Sequence, residues 1–136
     1  MSGYTIQRAA DAPDYTQGSP SPFLGYARPM GSEELGFNVR VLAPGATNVP
    51  PGEDPVPGHS HDTVEELYFV LEGEVTVKVG EDIHKLGPRD AILIGRGVPR
   101  AARNESDAEA AIAMVSVKMA DPMGDSHKHE GFWPTG

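Results

Sequence analysis

Cysteine is absent from the 136 residues. That excludes a disulfide framework, a thiol nucleophile and a thiolate-ligated zinc site. Long apolar runs are missing as well. No stretch approaches 18 consecutive apolar residues, and the opening MSGYTIQRAADAP holds no apolar segment of the signal-peptide kind. The expectation is a cytoplasmic protein with no membrane partner, and the formal glycosylation sequon Asn104-Glu105-Ser106 is set aside. Basic charge is scarce. Eleven Lys and Arg against 20 Asp and Glu leave a net charge of −9, a surface that repels phosphate backbones, so nucleic acid is not expected as a partner. Sustained helical periodicity and internal repeats are lacking too.

The chain is rich in turn formers. Its 16 Gly and 13 Pro make up about a fifth of the residues and favour many short elements over long helices. A chain of this length suits one domain and buries roughly 68% of its unfolded surface, enough for one core. Residues 4–10 and 23–30 read as short strands around a Pro-rich loop at 11–22. In 34–45, Phe37, Val39 and Val41 alternate with Asn38 and Arg40, and Phe37 reads as core. Residues 43–58 read as a long loop. Strand patterns return at ELYFVLEG (66–73), EVTVKVG (74–80), IHKL (83–86), AILI (91–94) and within 108–119, where Met114 reads as core. Seven to nine short strands with regular turn signals point to an antiparallel sandwich or barrel. The tail, 121–136, shows no strand pattern, although Phe132 and Trp133 are expected to pack back onto the body.

The chemistry concentrates in GHSHDTVEE, residues 58–66. His59 and His61 stand at i and i+2, so on a strand both imidazoles face one way. Glu66 opens the next strand, and pairing of that strand beside 59–61 would bring its carboxylate to the two rings. Two His and one carboxylate can form a facial triad with open positions for substrate or oxygen.

Residues 59–73 resemble the first motif of the cupin superfamily, H-x-H-x(3,4)-E-x(6)-G, with His59, His61, Glu66 and Gly73 in register. Only Glu66, not Glu65, leaves six residues before the glycine. The resemblance covers about residues 35–120. It implies an all-β fold, a jelly-roll β-barrel of antiparallel strands. The single domain would span 1–136, with an N-terminal extension at 1–34 and a C-terminal tail at 121–136. It also implies a divalent metal ion (Fe, Mn, Ni or Zn) held by His59, His61 and Glu66, and a homodimer.

The second motif of that superfamily, G-x(5)-P-x-G-x(2)-H-x(3)-N, aligns with residues 89–104. Gly97 and Asn104 match, whereas Arg89 stands at the leading glycine and Gly95 at the proline. Arg100 stands where the resemblance implies a third histidine ligand. A guanidinium has no lone pair to give a metal. Three readings of Arg100 stay open. The three remaining ligands hold a metal without help, Arg100 pairs with Glu66 in place of a metal, or Arg100 anchors an anionic substrate.

Tyr68 shares the parity of Glu66 and could donate a proton or a hydrogen bond to a substrate. His84, His127 and His129 read as solvent-facing, although a tail folded over the barrel mouth could supply a ligand. Arg89, Arg96 and Arg103 read as exposed turn residues. Ser60 near His and Asp lacks the strained turn and oxyanion donors of a hydrolase triad. Taken together, the sequence supports a metal-binding protein acting on a small anionic molecule by oxygenation, isomerisation, cyclisation or decarboxylation, with Arg100 and Tyr68 as catalytic candidates. The alternative is a non-catalytic small-molecule-binding or sensor module with a metal-free pocket.

Overall fold

The computed structural model describes residues 3–50 and 52–134; residues 1–2 of the N-terminal extension and 135–136 of the tail lie outside them. The chain forms β1 (Phe23–Gly25), β2 (Leu35–Leu42), β3 (Val56–His61), β4 (Glu66–Glu72), β5 (Val75–Val79), β6 (Asp82–Leu86), β7 (Ala91–Ile94), β8 (Arg100–Arg103), β9 (Ala110–Val117) and β10 (Ser126–Trp133). Helix is limited to a 3-10 turn at Ala9–Asp11 and the single turn α1 (Pro122–Asp125). The strands make two antiparallel five-stranded sheets, ordered β1-β2-β9-β4-β7 and β10-β3-β8-β5-β6. This is the jelly-roll architecture, with two facing sheets that hydrogen bonds do not close into a barrel.

The core lies between the sheets. Leu42, Tyr68, Val70, Ile94, Ile112 and Met114 from the first sheet pack against Val75, Val77 and Ala102 from the second. The strand pairing fixes which residues join it. Leu42 is paired with Ala110 and Asn38 with Met114, so the even-numbered residues of β2 face inward. This corrects the reading of Phe37 as core. Phe37 lies on the outer face of the first sheet, half-buried, with its ring edge-on to Tyr26 at 5.9 Å. The alternation was real, but the phase of β2 that carries Asn38 and Arg40 is the one aligned with the core residues of β9.

Three other expectations change. Residues 4–8 form no strand. The loop after β2 ends at Val56, not at 58. The tail forms β10, which pairs with β3 through Ser126–His61, His127–Ser60 and Lys128–His59. The expected return of the aromatics holds: Trp133 is buried with Val56 and Ala101 on the outer face of the second sheet. The Arg103 guanidinium stacks on its ring at 3.8 Å.

Two residues of the second motif have clear structural work. Buried Asn104 donates from Nδ2 to the carbonyls of Leu42 and Ala108, tying the end of β2 to the loop before β9. Arg89 has φ of +71°, a left-handed conformation that glycine adopts without steric cost. Gly73 also has positive φ, and an added Cβ there would lie 2.5 Å from the Glu109 carbonyl oxygen.

Candidate metal centre

β3 and β4 lie in different sheets, so Glu66 does not reach the histidines from a paired neighbour. It reaches them across the interior. His59 and His61 project inward from β3 with ring centroids 5.1 Å apart at 83°. One ligand atom from each of His59, His61 and Glu66 falls within 4.8 Å of the other two. Metal–ligand bonds of about 2.0–2.2 Å require these atoms to draw in by up to about an ångström, an adjustment side-chain torsions can supply.

The surroundings of the two imidazoles suit that role. His59 is held far below its ordinary range, at about 3, chiefly by burial and then by the nearby charge of Arg100. Its lone pair is therefore available well into acid. On His61, Nδ1 faces Asp125 Oδ2 at 3.4 Å, and both atoms are buried without a hydrogen-bond partner. A small approach of the two groups would make a hydrogen bond that fixes the tautomer and leaves the other nitrogen to donate to a metal. Asp125 is itself held by the backbone N–H and the hydroxyl of Thr63 at 3.0 and 2.8 Å. These hydrogen bonds, the hydroxyl's first, keep its carboxyl below the usual range. The donor set fits a divalent ion.

Arg100 sits beneath the cluster, opposite His59 in the β3–β8 register. Its side chain is 0% exposed and its Nη2 lies 3.3 Å from Glu66 Oε1. Nη1 donates to the Val98 carbonyl at 2.9 Å, and Nε is buried without a partner. The Tyr68 hydroxyl is likewise buried without a hydrogen-bond partner. Burial pushes the Tyr68 phenol far upward, with the Glu66 carboxylate adding to the effect, so it stays protonated.

His59, His61, Glu66 and Tyr68 line a cavity of about 970 Å³, and Arg100 lies behind them outside its lining. Arg40 also lines it, a residue the alternation of β2 had placed with the polar phase and given no role. Ser126 and Lys128 of β10 share the inward face, whereas His127 and His129 face the opposite way. His127 Nε2 is hydrogen-bonded to Asp62 Oδ2, and His129 is hydrogen-bonded to Ser60 Oγ at 2.8 Å. His84 is exposed on β6. Among the described residues, none of these three completes the ligand set. Arg89 and Arg96 are exposed as expected, but Arg103 is half-buried against Trp133.

Asp125 and Arg40 are the site residues that sequence reasoning missed. Asp125 lies in a segment without periodicity. Arg40 could have been found only by asking which phase of β2 pairs with the apolar phase of β9.

A cupin domain model matches residues 45–117, more than half of the chain. No curated protein matches the sequence. Among solved structures, TT1209 from Thermus thermophilus is 33% identical over 62% of this chain and 73% of its own, with a TM-score of 0.54. A sugar phosphate isomerase of the cupin superfamily from Silicibacter pomeroyi is 19% identical, covering 86% of this chain and 81% of its own, with a TM-score of 0.65. KdgF from Halomonas sp. is 15% identical, covering 85% and 96%, with a TM-score of 0.66. At those last two identities the likeness is one of fold. The matched region contains the whole His59, His61 and Glu66 cluster, and the chain belongs to the cupin domain family.

Proposed function

We propose that this protein is a metal-dependent enzyme acting on a small anionic molecule, with His59, His61 and Glu66 as the ligands of a divalent ion. The observation that supports this best is the convergence of three donor atoms from two different sheets at the wall of one cavity. The ion would act as a Lewis acid on a substrate oxygen. The protein groups then divide the remaining work. Asp125 holds the His61 ring in one orientation. Arg100 fixes one carboxylate oxygen of Glu66 and leaves the other free. Tyr68 keeps its proton at Oη and offers a hydrogen bond to a substrate oxygen in the cavity. Isomerisation, cyclisation, decarboxylation and oxygenation all remain compatible with such a site.

The Arg100–Glu66 contact favours one alternative, a metal-free binding or sensor module in which the guanidinium supplies the positive charge. Calorimetric titration of Mn(II) and Zn(II) into chelator-treated protein separates the two. The enzyme reading predicts one site, lost in His61→Ala and retained in Tyr68→Phe. Equal heats from wild type and His61→Ala would overturn it.

We further propose a cytoplasmic homodimer joined through the outer face of the first sheet. Leu35, Leu93 and Val117 are each about 60% exposed on that face. Leu35 is directly paired with Val117, and Leu93 with Leu67, so they form apolar rows beside half-buried Phe37 and Val39. Such a surface suits an isologous contact.

A further inference from the structure

We propose that Arg40 anchors the carboxylate of a small organic acid inside the cavity. The proposal deepens the functional reading above and rests on it for the identity of the reacting end of the site. Arg40 projects from the inward face of β2, with Ile112 as its cross-strand partner. Its guanidinium stacks over the Phe23 ring at 4.3 Å, and Nη1 donates to the Ser21 carbonyl at 2.8 Å. Nε is buried and has no hydrogen-bond partner.

The two interior arginines differ in one respect. Arg100 has a carboxylate within ion-pair distance. Among the described residues, Arg40 has none. Burial lowers its proton affinity, with Tyr68 and Asp14 acting from a distance in the other direction. A guanidinium nonetheless stays charged at any physiological pH. A partly desolvated cation with no carboxylate at ion-pair distance carries a cost, and an anionic ligand is the simplest group that relieves it.

The charges around the cavity indicate what kind of anion. Glu66 is matched by Arg100. Lys128 is engaged by Glu53 and Glu130, and Lys118 is exposed to solvent. Arg28 belongs to the exposed rim. Among the described residues that leaves one unmatched interior charge, which suits a carboxylate better than a phosphate dianion. The fork of a guanidinium also matches the two oxygens of a carboxylate. Phe23, Val49 and Met114 line the same cavity and give an apolar carbon skeleton something to lie against. A ligand held this way places its far end toward His59, His61 and Glu66.

The test uses metal-free protein, so its outcome does not depend on whether the metal reading is right. Benzoate, butanoate, benzamide and inorganic phosphate are titrated by calorimetry, and the arginine Nε–H resonances are followed by NMR. One of the carboxylates should bind and move the Arg40 resonance, and benzamide should not. Arg40→Gln should weaken that binding at least about tenfold, the loss expected for one charge-assisted contact. Arg40→Lys, which keeps the charge but not the fork, should fall between the two and guards against a folding defect in Arg40→Gln. The assignment is overturned if carboxylate affinity is unchanged in folded Arg40→Gln. It is equally overturned if phosphate binds more tightly than both carboxylates, or if neither binds up to about 20 mM.

Discussion

Nη2 of Arg100 lies 3.3 Å from Oε1 of Glu66, with the arginine side chain fully buried and the glutamate side chain 12% exposed. The pair joins a strand of one sheet to a strand of the other directly below the two histidines. In the proposed metal centre, the residue that cannot ligate a metal would orient one that can. Arg100→Ala should therefore destabilise the protein by about 3–5 kcal/mol, because Glu66 loses its partner. Chemical denaturation of the metal-free protein measures this. Arg100→His, by contrast, adds a fourth donor, and Zn(II) affinity should rise by at least about tenfold. An unchanged affinity would mean that position 100 does not face the ligands.

Asp125 sits behind His61, with Oδ2 at 3.4 Å from Nδ1. Asp125→Asn should cut metal affinity by about 10- to 100-fold without removing any ligand. The effect should appear in calorimetry as weaker binding with unchanged stoichiometry.

The outer face of the first sheet gives a prediction independent of the metal. Light scattering should find wild type at twice the 14.5 kDa chain mass. Leu93→Glu, which sets a charge in an apolar row, should run as a monomer. Wild type running as a monomer would contradict the dimer outright.

Asp14 gathers the loop that leads to β1. Its carboxylate accepts from the Thr16 hydroxyl at 2.7 Å and from the backbone N–H groups of Thr16, Gly18 and Phe23 at 2.9, 3.0 and 3.1 Å. Its pKa is lowered to about 2, the Thr16 hydroxyl contributing most. A carboxyl depressed in the folded state stabilises fully above its ordinary pKa and loses that effect as pH falls toward the folded value. Amide exchange at Gly18 and Phe23 should thus accelerate from about pH 4 down to about pH 2, beyond the intrinsic trend. Asp14→Asn should lack this added dependence.

Much of the fold was legible because its signals are local. β4, β5, β7 and β9 each carry an apolar pattern of strand length between turn formers, and the H-x-H spacing on β3 puts two imidazoles on one face. What escaped depends on partners distant in sequence. The inward phase of β2 is set by register with β9, so Arg40 shares a face with Ile112 while Phe37 packs against Tyr26. β10 carries little apolar pattern until Phe132 and Trp133, because much of it is exposed. Glu66 meets the histidines through the packing of two sheets, which spacing alone cannot distinguish from pairing of adjacent strands.

The most direct measurement is the metal content of protein purified without a nickel column, read by mass spectrometry for wild type and Glu66→Gln after equilibration with Fe(II), Mn(II), Ni(II) or Zn(II). The account predicts close to one equivalent of a divalent ion in wild type and a loss of at least about tenfold in affinity in the variant, which keeps the side-chain shape but removes the charged ligand. Wild type holding less than about a tenth of an equivalent with every one of these ions would contradict the three-residue metal centre and leave the buried Arg100–Glu66 pair as the organising feature of a metal-free pocket.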